Sequence, residues 1–305
     1  MVRPLTTYRL PPALVRQLRD AGYQTAQDLQ QLSLAQVGQE LSLSLSDITA
    51  LDQALRASVP QPWSAQRVWD TASSLASIPT GSQALNSLFG SYGGVPYHLL
   101  TEVYGPPGIG KTQLAIQLCI NAQRPLPACG HKIKAIYIDT EGSFVAQRAA
   151  QIARHAMHQW TQDAVTPGPM DESIITTLDD LLAGIIYIRV HSHPELMDTL
   201  AGLPGLIQTL GKVALVVIDS LTFPFRTDFD DMSVRSQQLT RTAQLTQALA
   251  RDHALAVVLV NQMTTKFHAA SSSLGQNSYL VPALGISWGH IPNFRVALSW
   301  EKGKR

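Results

Sequence analysis

The sequence predicts an α/β fold: a mostly parallel, twisted sheet with helices on both faces, preceded by a small helical domain. Three observations carry that reading. From Pro79 onward, apolar β-branched runs alternate with helical stretches. The runs are almost continuously hydrophobic, as strands buried on both faces must be. A glycine-rich octapeptide, Gly105 to Thr112, joins the first run to the helix that follows it.

The amino-terminal segment reads as short amphipathic helices at Pro12 to Ala21, Thr25 to Leu32, Ser33 to Glu40 and Ser46 to Ala57. Ala13, Leu14, Leu18, Leu51 and Leu55 recur at helical spacing and are expected to face inward together, with Ser33 and Ser46 as N-caps. Between Val59 and Pro79 the composition shifts to Pro60, Pro62, Trp63, Trp69 and a serine-rich string, which marks a linker. The division is then a helical domain over 1–58, a linker over 59–78 and a larger domain over 79–305. Strands are expected at His98 to Tyr104, Lys134 to Asp139, Ile185 to Val190, Val213 to Asp219, Leu255 to Asn261 and Phe294 to Trp300. Helices are expected at Gln113 to Ala122, Phe144 to Gln159, Pro194 to Leu210 and Ser233 to Asp252.

Bulk composition bounds the function. The chain has 305 residues, 45% hydrophobic and 15% charged, and no apolar stretch approaches the roughly 20 residues of a membrane span. No membrane partner is expected, and Met1 to Pro12 has no secretory core. Two cysteines, Cys119 and Cys129, build no disulfide framework, which fits a reducing compartment, nucleus or cytoplasm. A net charge of +1 argues against general polyanion binding, so any nucleic-acid contact must be local.

Gly105-Pro106-Pro107-Gly108-Ile109-Gly110-Lys111-Thr112 is a phosphate cradle for ATP or GTP. Its glycines let backbone N–H groups turn toward a β-phosphate, Lys111 reaches the β and γ oxygens, and Thr112 offers a hydroxyl to magnesium. Asp219 ends a buried apolar run, where such an ATPase needs a carboxylate to hold Mg2+ opposite Thr112. Glu141, just past Asp139, is the candidate base for the attacking water; acidic residues complementing a helix N-terminus are the plainer alternative. Gln262, in Asn261-Gln262, offers an amide to the γ-phosphate. His191-Ser192-His193-Pro194-Glu195 lacks a matching ligand set and reads as a solvated strand end rather than a metal site.

The strings GPPGIGKTQ, YIDTEGSF, LVVIDSLTFPFR, LVNQMTTK and VPALGISWGH, in this order, resemble the RecA-type ATPase core of the eukaryotic strand-exchange recombinases, nearest to the paralogue group designated C. The resemblance implies a RecA-like P-loop ATPase, slow in turnover and DNA-dependent, with ATP and Mg2+ as cofactors. It implies that Gly105 to Gln113 bind the triphosphate and that Lys111, Glu141 and Gln262 act in hydrolysis. It places Arg148 over the adenine and His290 near ATP at a subunit boundary; a hydrogen-bonded surface histidine is the plainer reading of His290.

The same resemblance brings two loops to DNA, Phe225 to Arg235 and Met263 to Pro282, with Arg226, Arg235, Arg241 and Lys266 as the phosphate-contacting cations. The second loop, rich in Ser and Gly, is expected to be disordered without ligand. Asp228, Asp230 and Asp231 stand in the first, where the recombinase itself is richer in glycine and arginine. The amino-terminal helices resemble a helix-hairpin-helix-like domain, but Leu41 to Ser46 has no glycine, so packing or partner contact is its first expected role. Trp69 and Ala72 stand where the family carries an aromatic-x-x-Ala tether to the neighbouring subunit; Trp69 packing on its own chain is the alternative. Together these imply a nuclear ATP-binding subunit of recombinational DNA repair, working in a hetero-oligomer with other recombinase-like paralogues on single-stranded or branched DNA. The competing readings are an autonomous strand-exchange enzyme that builds homopolymeric filaments and a structural ATP-binding scaffold without hydrolysis.

Overall fold

The computed structural model describes residues 4–8, 10–25, 28–29, 33–57, 64–66, 77–124, 132–163, 177–229, 231–267, 278–285 and 287–301. The chain divides into two compact units, residues 1–70 and 71–305.

In the first unit, α1 (Pro12–Asp20), α2 (Leu34–Glu40) and α3 (Leu45–Ala57) surround a core of Leu5, Leu14, Leu18, Leu29, Val37 and Leu51. Leu14 and Leu18, four apart, share the inward face, whereas Ala13 is exposed, contrary to expectation. Ser33 caps α2 through a capping box: its Oγ accepts from Gln36 N at 3.2 Å and its own N donates to Gln36 Oε1 at 3.0 Å. Ser46 is not a cap. The helix starts at Leu45, and Ser44 Oγ takes the Asp47 N–H at 3.1 Å, because Asp47 at the third helical position answers Ser44 rather than Ser46. A Cβ at Gly38 would lie 2.5 Å from Ile48 Cδ1, so glycine lets α2 and α3 approach closely. Of the expected helix Thr25 to Leu32, Asp28 and Leu29 are described as helical.

The second unit opens with β1 (Ser77–Ile78), α4 (Gln83–Ser87) and β2 (Val95–Pro96), where β1 and β2 pair antiparallel. Then follow β3 (Leu100–Gly105), α5 (Lys111–Asn121), β4 (Lys134–Asp139), α6 (Ala146–Asp163), α7 (Leu178–Ala183), β5 (Ile185–Arg189), α8 (His193–Leu210), β6 (Val213–Asp219), α9 (Pro224–Thr227), α10 (Met232–Asp252), β7 (Ala256–Phe267), β8 (Ser278–Pro282) and β9 (Phe294–Ala297). The sheet runs β5-β4-β6-β7-β3-β9, all parallel, with β8 antiparallel on β7. Successive strand residues face opposite layers. Tyr137, Leu215, Val217 and Val258 belong to the core beneath α5 and α6. Ile136, Ile138, Val216, Ile218, Val257 and Leu259 belong to the core beneath α8 and α10.

Three departures from the sequence reading bear on function. The segment Met263 to Pro282 is not wholly a loop: β7 continues to Phe267 and returns as β8, pairing Met263 with Pro282 and Phe267 with Ser278. The Thr and Tyr-Leu-Val residues flanking the Ser/Gly-rich middle carry strand propensity that the middle outweighed in the sequence. Second, the loop expected at Phe225 to Arg235 is largely helical. Pro224 opens α9, Asp231 caps α10 by accepting the Ser233 N–H at 2.7 Å, and Arg235 therefore lies on a helix. Third, His191 to Glu195 is a helix start. Ser192 caps α8, the His191 N–H donates to Glu195 Oε2 at 2.7 Å, and the His193 ring is buried against Phe225 and Phe229.

One buried charge ties the sheet together below the strand ends. Glu102 on β3 is fully buried; it accepts from Arg295 Nε of β9 at 2.5 Å and from Asn261 Nδ2 of β7 at 2.6 Å. The Arg295 guanidinium also lies 4.9 Å from the Tyr104 ring centroid. Arg295→Ala strands the carboxylate, and the expected loss is on the order of 3 kcal/mol, read as a lower urea midpoint. Adding Glu102→Gln to that variant is expected to restore part of the loss; an unchanged midpoint in Arg295→Ala refutes the pairing's weight.

Candidate nucleotide-binding site

Four neighbouring strands, β4, β6, β7 and β3, bring their carboxyl ends to one cleft, the place where parallel sheets hold ligands. The cleft measures about 310 Å3. It is lined by Pro107, Gly108 and Gly110 of the loop after β3, by Lys111, Thr112 and Gln113 at the start of α5, and by Glu141, Asp219 and Gln262.

The loop is built by backbone freedom. Gly108 and Gly110 have φ of +74° and +104°, conformations that a side chain would strain. Gly105 serves close approach instead, since a Cβ there would lie 2.6 Å from the Leu298 carbonyl. Gly110 leaves the first turn of α5 without a side-chain cap, so its N–H groups and the positive end of the helix dipole are available to an anion. Lys111 Nζ donates to the Gly105 and Pro106 carbonyls at 2.9 and 3.0 Å. Burial pushes its pKa down, while the charges of Asp219 and Glu141 pull it back up. An ammonium resting on the loop's own carbonyls is placed to exchange them for phosphate oxygens.

Thr112 Oγ1 donates to Asp219 Oδ2 at 2.7 Å, and Tyr137 OH donates to the same oxygen at 2.6 Å. Burial raises the pKa of Asp219 despite these two donors, so a cation at the carboxylate relieves a desolvated charge. A hydroxyl and a carboxylate beside a phosphate loop are the hard oxygen donors that suit Mg2+. Tyr137 escaped the sequence reading because its partner is 82 positions away.

Asp139 and Glu141 divide the work of the next strand end. Asp139 is fully buried, and its carboxylate accepts the N–H groups of Glu141, Gly142, Ser143 and Phe144 at 2.7–3.2 Å, folding the turn that carries Glu141 into the cleft. Arg189 supports this turn by donating to the Asp139 carbonyl at 2.7 Å. Glu141 Oε1 accepts from Ser220 Oγ and, at 2.6 Å, from Gln262 Nε2. Asp139→Ala is expected to leave four N–H groups without their acceptor, costing on the order of 3 kcal/mol of stability and disordering the turn. Hydrogen exchange at Glu141 to Phe144 checks it: protection equal to wild type refutes the role of Asp139.

The other predicted residues spread more widely. Asn261 points inward, accepting from Thr222 Oγ1 at 3.0 Å and donating to Glu102, so only Gln262 of the pair faces the cleft. Arg148 is exposed on the first turn of α6, donating to Gln113 Oε1 and to Gln151 Oε1 at 2.9 Å, which sets it beside the outer end of the cleft. His290 is exposed at the end of the 3-10 turn Ser287–His290 and does not line the cleft. Among the expected DNA contacts, Arg226 is exposed and donates to Gln262 Oε1 at 3.0 Å. Arg235 is half-buried, its guanidinium taken up by the Phe225 and Ala283 carbonyls at 2.9 and 3.4 Å. Arg241 is exposed on α10, and Lys266 lies on β7 with its side chain outside the described atoms. Trp69 and Ala72 lie outside the described residues. Among the described residues no group of three or more His, Cys, Asp or Glu is placed to hold a metal, and no helix is long and apolar enough to cross a membrane.

Comparison with known proteins matches residues 71–166 and 170–305 to the family model described as Rad51. The chain is 35% identical to DNA repair protein RAD51 homolog 3 of Cricetulus griseus, over 100% of this chain and 86% of that protein. It is 40% identical to the protein of the same name from Dictyostelium discoideum, over 70% of this chain and 55% of that protein. It is 28% identical to DNA repair and recombination protein RadA of Metallosphaera sedula, over 96% of this chain and 84% of that protein.

Proposed function

The chain belongs to the Rad51 family, whose members are DNA repair and recombination proteins, and from that premise we propose that it is a paralogue subunit that binds and slowly hydrolyses ATP within a nuclear hetero-oligomer on single-stranded or branched DNA. The observation that carries the proposal is the contact of Thr112 with Asp219 at 2.7 Å beside Lys111, with Glu141 and Gln262 across the same cleft. Lys111 and the N–H groups of the loop hold the triphosphate, and Arg148 with Gln113 borders the base. Thr112 and Asp219 would hold magnesium, which when bound would supply charge neutralisation at the phosphates. Glu141 accepts the proton of the attacking water, and Gln262 contacts the γ-phosphate from the start of the β7–β8 hairpin.

The exposed Arg226, bonded to Gln262 at the start of that hairpin, supports a local DNA surface of the kind that a net charge of +1 permits. The relatives named RAD51 homolog 3 support the reading of a paralogue rather than a lone filament former. The test is purification of the protein from its own cells, with the mass of the intact complex measured in Mg-ATP and after exchange into nucleotide-free buffer. A mixed assembly that loosens without nucleotide is the expected result. A homopolymer of this chain alone overturns the hetero-oligomer, and assembly indifferent to nucleotide overturns the coupling.

A further inference from the structure

The Gln262 amide is gripped at both ends. Its Oε1 accepts from Arg226 Nη1 at 3.0 Å, and its Nε2 donates to Glu141 Oε1 at 2.6 Å. A guanidinium has only donors and an ionised carboxylate only acceptors, so these two neighbours fix which way the amide faces. Glu141 Oε1 accepts the Ser220 hydroxyl as well. Both hydrogen bonds fall on the one oxygen that the candidate base turns into the cleft, so that oxygen is already engaged. In this arrangement the candidate base and the amide across the cleft are both occupied with each other.

The two ends of this chain of contacts differ in access. Ser220 is 1% exposed, whereas Arg226 is exposed at the surface of α9. Arg235 steadies that surface, because its guanidinium holds the carbonyl of Phe225, the residue before Arg226, and bridges to Ala283 at the base of the hairpin. Two acids of the same segment accept backbone N–H groups: Asp228 Oδ2 takes that of His193 at 2.6 Å, and Asp231 caps α10. The guanidinium can therefore leave Gln262 by side-chain rotation, with the backbone of α9 still pinned.

We propose that Arg226 is a positioning residue that latches Gln262 onto Glu141, and that a nucleic-acid phosphate opens the latch by taking the guanidinium. A phosphate brings an opposite charge that the neutral amide lacks and can be held bidentately by the planar guanidinium, so the exchange is favourable. Release lets the amide turn to the γ-phosphate and takes one of its two donors off Glu141 Oε1. The proposal rests on the nucleotide reading given above. It assigns Arg226 to coupling between the DNA surface and the nucleotide cleft rather than to DNA affinity alone.

The test measures affinities of the full chain for Mg-ATPγS and Mg-ADP, with and without a single-stranded oligo(dT), in wild type, Arg226→Ala and Arg226→Lys. In wild type, oligo(dT) is expected to tighten Mg-ATPγS binding by about tenfold, within the usual range of allosteric coupling, and to leave Mg-ADP unchanged. Arg226→Ala is expected to bind Mg-ATPγS without DNA as tightly as DNA-bound wild type, and Arg226→Lys, which cannot make the planar contact, to fall between. A variant that keeps the wild-type ratio overturns the latch, as does a wild type with no ratio to lose. Weaker Mg-ATPγS binding by DNA-free Arg226→Ala also overturns it, because the guanidinium would then be a phosphate ligand. Loss of Mg-ADP binding by the wild type itself is a different failure and removes the nucleotide reading.

Discussion

Lys111→Ala is expected to abolish measurable nucleotide binding, with Mg-ATP affinity falling at least about 100-fold, equivalent to roughly 3 kcal/mol. Among the described residues that line the cleft, nothing else carries a positive charge toward the loop: the others are loop atoms, Thr112, Gln113, Glu141, Asp219 and Gln262. Removing the ammonium leaves the Gly105 and Pro106 carbonyls, which it now holds at 2.9 and 3.0 Å, beside the incoming phosphates. Those carbonyl dipoles would face a triphosphate with nothing between them. The free protein should not unfold, because the substitution removes a partly desolvated charge and leaves the glycine conformations of the loop intact. Lys111→Arg keeps the charge but replaces a compact ammonium by a planar fork, so an intermediate affinity is expected. Calorimetric titration with Mg-ATP decides the matter: an alanine variant with wild-type affinity, and a melting temperature showing it folded, would remove Lys111 from the site.

Much of this cleft is written locally in the chain. The apolar runs of β4, β6 and β7 each meet a polar residue at the cleft end, Asp139, Asp219 and Asn261, so Asp219, Glu141 and Gln262 could be read from short windows, as could the glycine loop and the parallel α/β layering. The parts that escaped are those fixed by partners far away in sequence. Asn261 and Gln262 look alike in the string, yet their opposite directions follow from strand alternation and from Glu102, 159 positions from Asn261, waiting on the neighbouring strand. Arg235 looked like a loop cation because nothing local says that Phe225 and Ala283 will present carbonyls to it. The hairpin at the end of β7 was obscured because its two strands flank a stretch whose Ser/Gly composition argues for a loop. A local window sees propensity, whereas pairing between Met263 and Pro282 is a tertiary fact.

Glu141→Gln separates binding from turnover, and it is the sharper test of chemistry. The replacement amide has the same length and can present its oxygen to Ser220 and Gln262, the two donors that Glu141 Oε1 now accepts. The cleft should keep its shape, and Mg-ATP affinity is expected to stay within about threefold of wild type. What disappears is the capacity to take a proton from water, a contribution of general-base catalysis worth about 10²–10⁴ in rate. Phosphate release in the presence of single-stranded DNA should therefore fall by at least about 100-fold. Glu141→Ala is less informative, since it also frees Gln262 and Ser220 and changes two hydrogen bonds along with the base. Turnover by Glu141→Gln at the wild-type rate would strip Glu141 of its role. A wild-type protein that binds Mg-ATP but turns over no faster than this variant would leave the cleft as a structural ATP site, in which Asp219, Thr112 and Lys111 still grip the nucleotide and Glu141 serves only to hold Gln262.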